Sequence, residues 1–313
     1  AQEAMFQSFV RAISNLIDAK SPYTNGHCRR VRELSLMLAE QAHRANTGSL
    51  AGFTFNDDER TALEIAAMLH DCGKVVTPEW VVDKATKLTA VVDRIDLITL
   101  RFELMRRNGA VAADEDRLRQ MDDDMAFIGK CNLGGEFMSS EHIRRIHEIA
   151  GQTWPDAQGK ESALLTENEV ANLCVQRGTL NTEERKIIED HVRHTINMLS
   201  QITFPRALRN VTEYAGGHHE RVDGGGYPRG LKGGELPVPA RIMAIADIFE
   251  ALTAPDRPYR KGGSLSWAVD VLKRMKDDGH LDGELLDLFL SRGIHLQYAE
   301  RHLADSQRDL LGP

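Results

Sequence analysis

Residues 212–253 read TEYAGGHHERVDGGGYPRGLKGGELPVPARIMAIADIFEALT, and their last third decides the fold. From Val238 the chain is apolar on every face, with Ile242, Met243, Ile245, Ile248 and Phe249 in one run. A helix of that kind belongs inside a protein. Asp247 sits in the middle of it, where a lone carboxylate is costly to bury. Just upstream are two adjacent histidines and a glycine-rich turn.

Working outward, nearly every segment has helical periodicity. NDDERTALEIAAMLHDCGK places Leu63, Ala66, Ala67 and Leu69 on one face, with Asn56 or Asp57 as N-cap and Gly73 as C-cap. GHCRRVRELSLMLAEQAHRA does the same through Val31, Leu34 and Leu38. NTEERKIIEDHVRHTINMLSQI opens with Asn181 and Glu184 at capping-box spacing. No segment shows useful period-two alternation, so the expected fold class is all-α. Residues 84–98 and 176–191 share a pattern, a basic turn running through Leu-Thr or Leu-Asn-Thr into a helix. Between them, about 90–176 reads as a helical insertion with loops at NLGGEF and GQTWPDAQGKES, and with Asp122 to Asp124 on a solvated helix face.

Composition narrows the class. The chain has 313 residues with 42% hydrophobic and 27% charged, which describes an ordinary globular protein. Its net charge of −8 argues against binding to a nucleic-acid polymer. No apolar run reaches the roughly 18 residues of a membrane span, and no signal peptide is visible. Cys28, Cys72, Cys131 and Cys174 form no CxxC pair, which points to reduced thiols and a cytoplasmic setting. Because QEAMFQSFVRAISNLIDA reads as helix from its start, residues 1–20 are expected to be a linker helix from an upstream sensory or receiver domain.

Several polar side chains need a common explanation. His27 shares a face with Val31, Leu34 and Leu38, and His70 and Asp71 end the next amphipathic helix. His191 lies with Ile187, Ile188, Met198 and Leu199; His218, His219 and Asp247 complete the set. A single inward histidine is usually a hydrogen-bonded core residue. Five of them with two aspartates carry a desolvation cost that a shared cation removes. Imidazole nitrogen mixed with carboxylate oxygen suits a hard or borderline divalent metal. His43, His142, His147, His194, His280, His295 and His302 lack such support, His194 reading as a solvent-edge residue.

HDCGK at 70–74 and HHERVDGGGYP at 218–228 together resemble the two signatures of the HD-GYP family. SPYTNGHCRRV, IIEDHVRHT and ARIMAIADIFEALTAPDRPYR are similar to its further blocks, so the resemblance covers about 21–89 and 177–292. It implies an HD-domain helical bundle over 21–313, interrupted by the insertion. It also implies a phosphodiesterase that opens cyclic di-GMP to linear pGpG and then GMP. The alternatives are a non-catalytic cyclic di-GMP receptor or protein-interaction module, and a hydrolase of another cyclic dinucleotide.

Carried over by position, one metal takes His27, His70, Asp71 and Asp247, and the second shares Asp71 and adds His191, His218 and His219. Iron or manganese is implied. Such a pair polarises a phosphodiester and lowers the pKa of water. Some members hold a third metal through a glutamate where this chain has Tyr23, so two are expected. Lys74 is expected on a phosphate oxygen and Tyr227 on the substrate. Gly224, Gly225 and Gly226 let the backbone approach a ligand. Arg257 and Arg260 are expected on the phosphates, in a register blurred by Pro255. A homodimer is a further expectation.

Overall fold

Helices dominate the computed structural model, which describes residues 2–20, 26–45, 48–107, 109–135, 137–156, 158–254 and 262–311. Tyr23, Pro255, Arg257 and Arg260 lie outside the described residues. In chain order the helices are α1 (Gln2–Lys20), α2 (His27–Ala45), α3 (Asp57–Leu69), α4 (Glu79–Val82), α5 (Ile95–Arg106), α6 (Gly109–Ala112), α7 (Glu115–Asn132) and α8 (Ser140–Ala150). They continue as α9 (Glu167–Leu173), α10 (Thr182–Glu189), α11 (His191–Ser200), α12 (Val211–Gly216), α13 (Val238–Thr253), α14 (Leu265–Asp277), α15 (Gly283–Ser291) and α16 (Ile294–His302). The fold is all-α.

Two compact units divide the chain: unit 1 takes residues 1–77 and 188–313, and unit 2 takes 78–187. Unit 2 is broader at both ends than the segment 90–176 singled out in the sequence. In unit 1, α2 packs against α3 and α13, and α12 against α3, α11 and α13. Val31, Leu34 and Leu38 of α2 meet Leu63 and Ala66 of α3 and Ile242, Ile245 and Phe249 of α13 in one apolar core. The caps follow the sequence: Asn56 accepts from Glu59 N at 2.9 Å, and Asn181 and Glu184 exchange bonds of 2.9 Å each. The long 181–202 helix is interrupted, since α10 ends at Glu189 and α11 begins at His191. Ile187 and Met198 are more than a third exposed, so they do not share the inward face of His191.

Unit 2 has its own core around Leu88, Ile98, Phe102, Met121, Ile128, Ile146 and Leu173. Two expectations fail inside it. GQTWPDAQGKES is not a plain loop, because Thr153–Pro155 and Glu161–Ala163 pair as β1 and β2 in an antiparallel hairpin. Asp156 closes that turn by accepting from Gln158 N and Lys160 N, both at 2.9 Å, so its side chain replaces the missing alternation as the organising signal. The acidic run is not all solvated either. Asp122 and Asp123 are exposed, but Asp124 is buried and accepts from Gln120, Arg145 and Gln152.

Candidate metal centre

The centre grows from the junction between α3 and the 3-10 turn Cys72–Val76. Gly73 was expected as the C-cap of this helix, but the cap is His70. A Cβ there would stand 1.9 Å from His191 O and 2.6 Å from Thr195 N. The glycine therefore lets the turn lie flush on α11. Thr195 locks the contact, its hydroxyl donating to His70 O and accepting from Gly73 N, at 2.9 Å each. This packing sets Asp71 opposite His191.

Asp71 then stands between two groups of side chains. Its Oδ2 is 3.6 Å from His27 Nε2 and 3.3 Å from His70 Nε2. Its Oδ1 is 3.2 Å from His191 Nε2. Asp247 closes the first group, 3.2 Å from His27 and 3.7 Å from His70. His218 and His219 close the second, with rings 4.2 Å apart and His219 5.2 Å from His191. Candidate ligand atoms of His27, His70 and Asp247 lie within 4.8 Å of one another, as do those of His191, His218 and His219, and of His70, Asp71 and His218. All seven residues named from the sequence thus converge.

The donor set fits a cation on the structure's own terms. Asp71 Oδ1, His191 Nε2 and His218 Nε2 are buried with no aligned hydrogen-bond partner, an expensive arrangement unless something else satisfies them. Their opposite ring nitrogens are already committed. His70, His191 and His218 each direct Nδ1 to the carbonyl three residues earlier, at 2.8, 2.5 and 2.5 Å. Each Nε2 is left facing the centre.

Without a cation the charges divide unevenly. Burial disfavours the imidazolium at His27 and His70, yet Glu250, Asp247 and Asp71 outweigh it, lifting His27 well above its usual value and His70 to about 9. Burial would raise Asp71 and Asp247, but the facing Lys74 and histidines hold both well below the carboxylate range. Burial pulls His219 down to about 3 and, with its neighbours His219 and His70, keeps His218 well below normal. The His70 proton stabilises the fold fully below pH 6.5, and that contribution fades as pH rises through about 9. The cation-free protein should therefore melt at progressively lower temperature across that window. Added Mn²⁺ should release protons and bind more tightly over the same range, since it needs neutral imidazoles. Melting curves with chelator, and proton release on Mn²⁺ addition at pH 7.5, check both.

The glycine-rich turn is fixed beside this cluster. Tyr227 stacks on His219 with ring centres 4.9 Å apart, and Tyr227 N donates to His219 O. Gly226 is required by close approach, because a Cβ would lie 2.4 Å from Arg221 N and 2.5 Å from Glu220 Cα. Gly224 is required by a φ of +84°, whereas Gly225 faces only the Asp223 and Arg221 side chains. Lys74 lies at the edge of the cluster, a quarter exposed, and donates to Asp71 Oδ2 at 2.6 Å. His194 is exposed, as expected. Cys72 is buried and its thiol is pushed up to about 11 by that burial, which leaves little reactive thiolate.

Three supporting residues were missed in the sequence. Glu250 accepts from His27 Nδ1 at 2.5 Å and from Arg30 Nε at 2.7 Å. Glu220, fully buried, accepts from Arg229 N at 2.8 Å and Leu231 N at 3.0 Å and so ties down the glycine-rich turn. Thr195 is the third. Glu220→Ala should orphan two backbone donors at a cost of about 2 kcal/mol. Hydrogen exchange across 221–232 should then speed up by roughly 30-fold.

Comparison with known proteins follows the same residues. Residues 24–124 and 165–285 each match the HD domain. A 3'3'-cGAMP-specific phosphodiesterase of Vibrio cholerae is 26% identical over 299 residues, 96% of this chain and 44% of that relative. A cyclic di-GMP phosphodiesterase of Thermotoga maritima is 32% identical over 160 residues, 46% of this chain and 43% of the relative. The cyclic di-GMP phosphodiesterase response regulator RpfG of Xanthomonas campestris is 36% identical over 100 residues, 32% of this chain and 25% of the relative. The chain thus spans less than half the length of these relatives.

Proposed function

The chain is an HD-domain protein, and from that premise we propose that unit 1 hydrolyses a phosphodiester of a cyclic dinucleotide, opening cyclic di-GMP to linear pGpG and then GMP. One observation carries the reading: the two oxygens of Asp71 face two separate groups of histidines. That is the disposition of a carboxylate shared by two cations. In the proposal His27, His70, Asp71 and Asp247 hold one divalent ion, and Asp71, His191, His218 and His219 hold the other, iron or manganese in each case. Such a pair, once bound, polarises the phosphodiester and brings the pKa of water toward neutrality.

The remaining work falls to the chain's own residues. His218 and His219 are held neutral, the form that can ligate. The Lys74 ammonium supplies positive charge where negative charge grows on phosphate oxygens. Tyr227, stacked on His219, offers a ring to a base or ribose beside the cluster. Gly226 keeps the backbone close enough for that ring to reach. Arg257 and Arg260 keep their assignment to the phosphates in this proposal.

A second substrate has its own support. The relative matching 96% of this chain is named for 3'3'-cGAMP, so that dinucleotide stands beside cyclic di-GMP. An upstream sensory or receiver domain and a homodimer belong to the same proposal, and the longer relatives, one of them a response regulator, favour the first. Incubating Mn²⁺-loaded protein with each dinucleotide and resolving the products by chromatography tests the reading. Linear dinucleotide is expected, and His70→Ala should abolish it. Tight binding of either dinucleotide without turnover, under Mn²⁺ and anaerobic Fe²⁺ alike, would instead make the chain a receptor.

A further inference from the structure

The histidines of the cluster are not supported alike. His70, His191 and His218 each lean on a backbone carbonyl one turn earlier. His27 opens α2, so its helix has no carbonyl a turn before it. A carboxylate takes that place: Glu250 Oε2 lies 2.5 Å from His27 Nδ1. Glu250 stands one turn after Asp247 on α13, so one helix supplies both a candidate ligand and the support for another.

Arg30 holds this support still. It lies one turn after His27 on α2, with Nε 2.7 Å and Nη2 2.6 Å from Glu250 Oε1. Both Arg30 and Glu250 are buried, so water screens their charges only weakly. The carboxylate cannot swing away without giving up both of these guanidinium contacts. A carboxylate on Nδ1–H fixes the imidazole tautomer, orients the ring and makes Nε2 a more basic ligand than a carbonyl does.

We propose that Glu250, anchored by Arg30, is a positioning residue that commits His27 to ligation through Nε2 and makes the His27–His70–Asp247 corner the tighter of two unequal cation positions. The inference rests on the two-cation reading above. Asp247 already favours that corner, and Glu250 adds to it. The opposite corner, built on His191, His218 and His219, has carbonyl support at His191 and His218 and, among the described residues, no carboxylate on a ring Nδ1. The pair would therefore fill and empty in order, with the His219 side last in and first out.

Mn²⁺ titration of the full chain, with metal counted by mass spectrometry, separates the outcomes. Wild type should take up two Mn²⁺ in distinguishable steps, and His219→Ala should lose the weaker. Glu250→Gln, which keeps the shape and removes the charge, should weaken the tighter step by about 10- to 100-fold and leave the other within about 3-fold. Equal weakening of both steps in a folded variant, or of neither, overturns the proposal. Uptake of fewer than two Mn²⁺ by wild type overturns the two-cation reading and this proposal with it. Should Glu250→Gln not fold, nitrogen-15 spectra of the Zn²⁺-loaded wild type decide independently. A proton on His27 Nδ1 with zinc on Nε2 is the expected result, and the reverse assignment overturns it.

Discussion

Asp71→Ala should cut the metal content of the protein from two ions per chain to one at most, and cyclic-dinucleotide hydrolysis by at least about 1,000-fold. The reason is positional. Asp71 is the only described carboxylate that meets both histidine groups, through Oδ2 on one side and Oδ1 on the other. Its loss also strands charge in the cation-free state, because Lys74 and His70 are held protonated largely by Asp71. Removing one partner from a buried ionic cluster costs about 3–5 kcal/mol, so the metal-free variant should also melt earlier. Asp71→Asn separates charge from shape: it should fold better than the alanine variant yet bind metal as poorly. An asparagine variant retaining two ions and full turnover would count against a shared carboxylate.

Gly73→Ala should be strongly damaging for the addition of a single methyl group. Two effects oppose each other. Replacing glycine restricts the unfolded chain and stabilises by roughly 0.4–1 kcal/mol where the native backbone tolerates it. Against this, the new Cβ would sit 1.9 Å from His191 O and 2.6 Å from Thr195 N, both backbone atoms that cannot rotate aside. Relief requires the 72–76 turn and α11 to separate, and such overpacking costs about 1–3 kcal/mol or more. The clash wins, with an expected net loss of about 2 kcal/mol and a melting temperature several degrees lower. Function should suffer more than stability, because the same separation moves Asp71 away from His191. A variant with unchanged melting and unchanged metal uptake would contradict the close-packed contact.

The seven candidate ligands were legible because each carries its own local signal. His70 and Asp71 end an amphipathic helix, His218 and His219 adjoin a glycine-rich turn, and Asp247 interrupts an apolar helix. Desolvation cost pointed to a shared cation, and the family resemblance assigned the seven residues to two metals. The supporting residues had no such signal. Glu250 and Arg30 look like ordinary polar positions on α13 and α2, and their meaning lies in a contact 220 residues away. Glu220 reads as one more charge in a polar turn, while the structure buries it beneath that turn. Gly73 was read as a helix C-cap, while its role is steric, a distinction that only the neighbouring α11 reveals. Asp124 was misread for the same reason. A helix face is polar in sequence whether it meets water or a buried arginine. The hairpin at 153–163 is too short for alternation to register, and a single aspartate organises its turn.

Anomalous diffraction from crystals of the Mn²⁺-loaded protein, recorded at the manganese absorption edge, addresses the central claim without reference to any substrate. The expected result is two peaks about 3.5–4 Å apart, one among His27, His70 and Asp247 and one among His191, His218 and His219, with an oxygen of Asp71 on each. A single peak, or none within reach of Asp71, would contradict it.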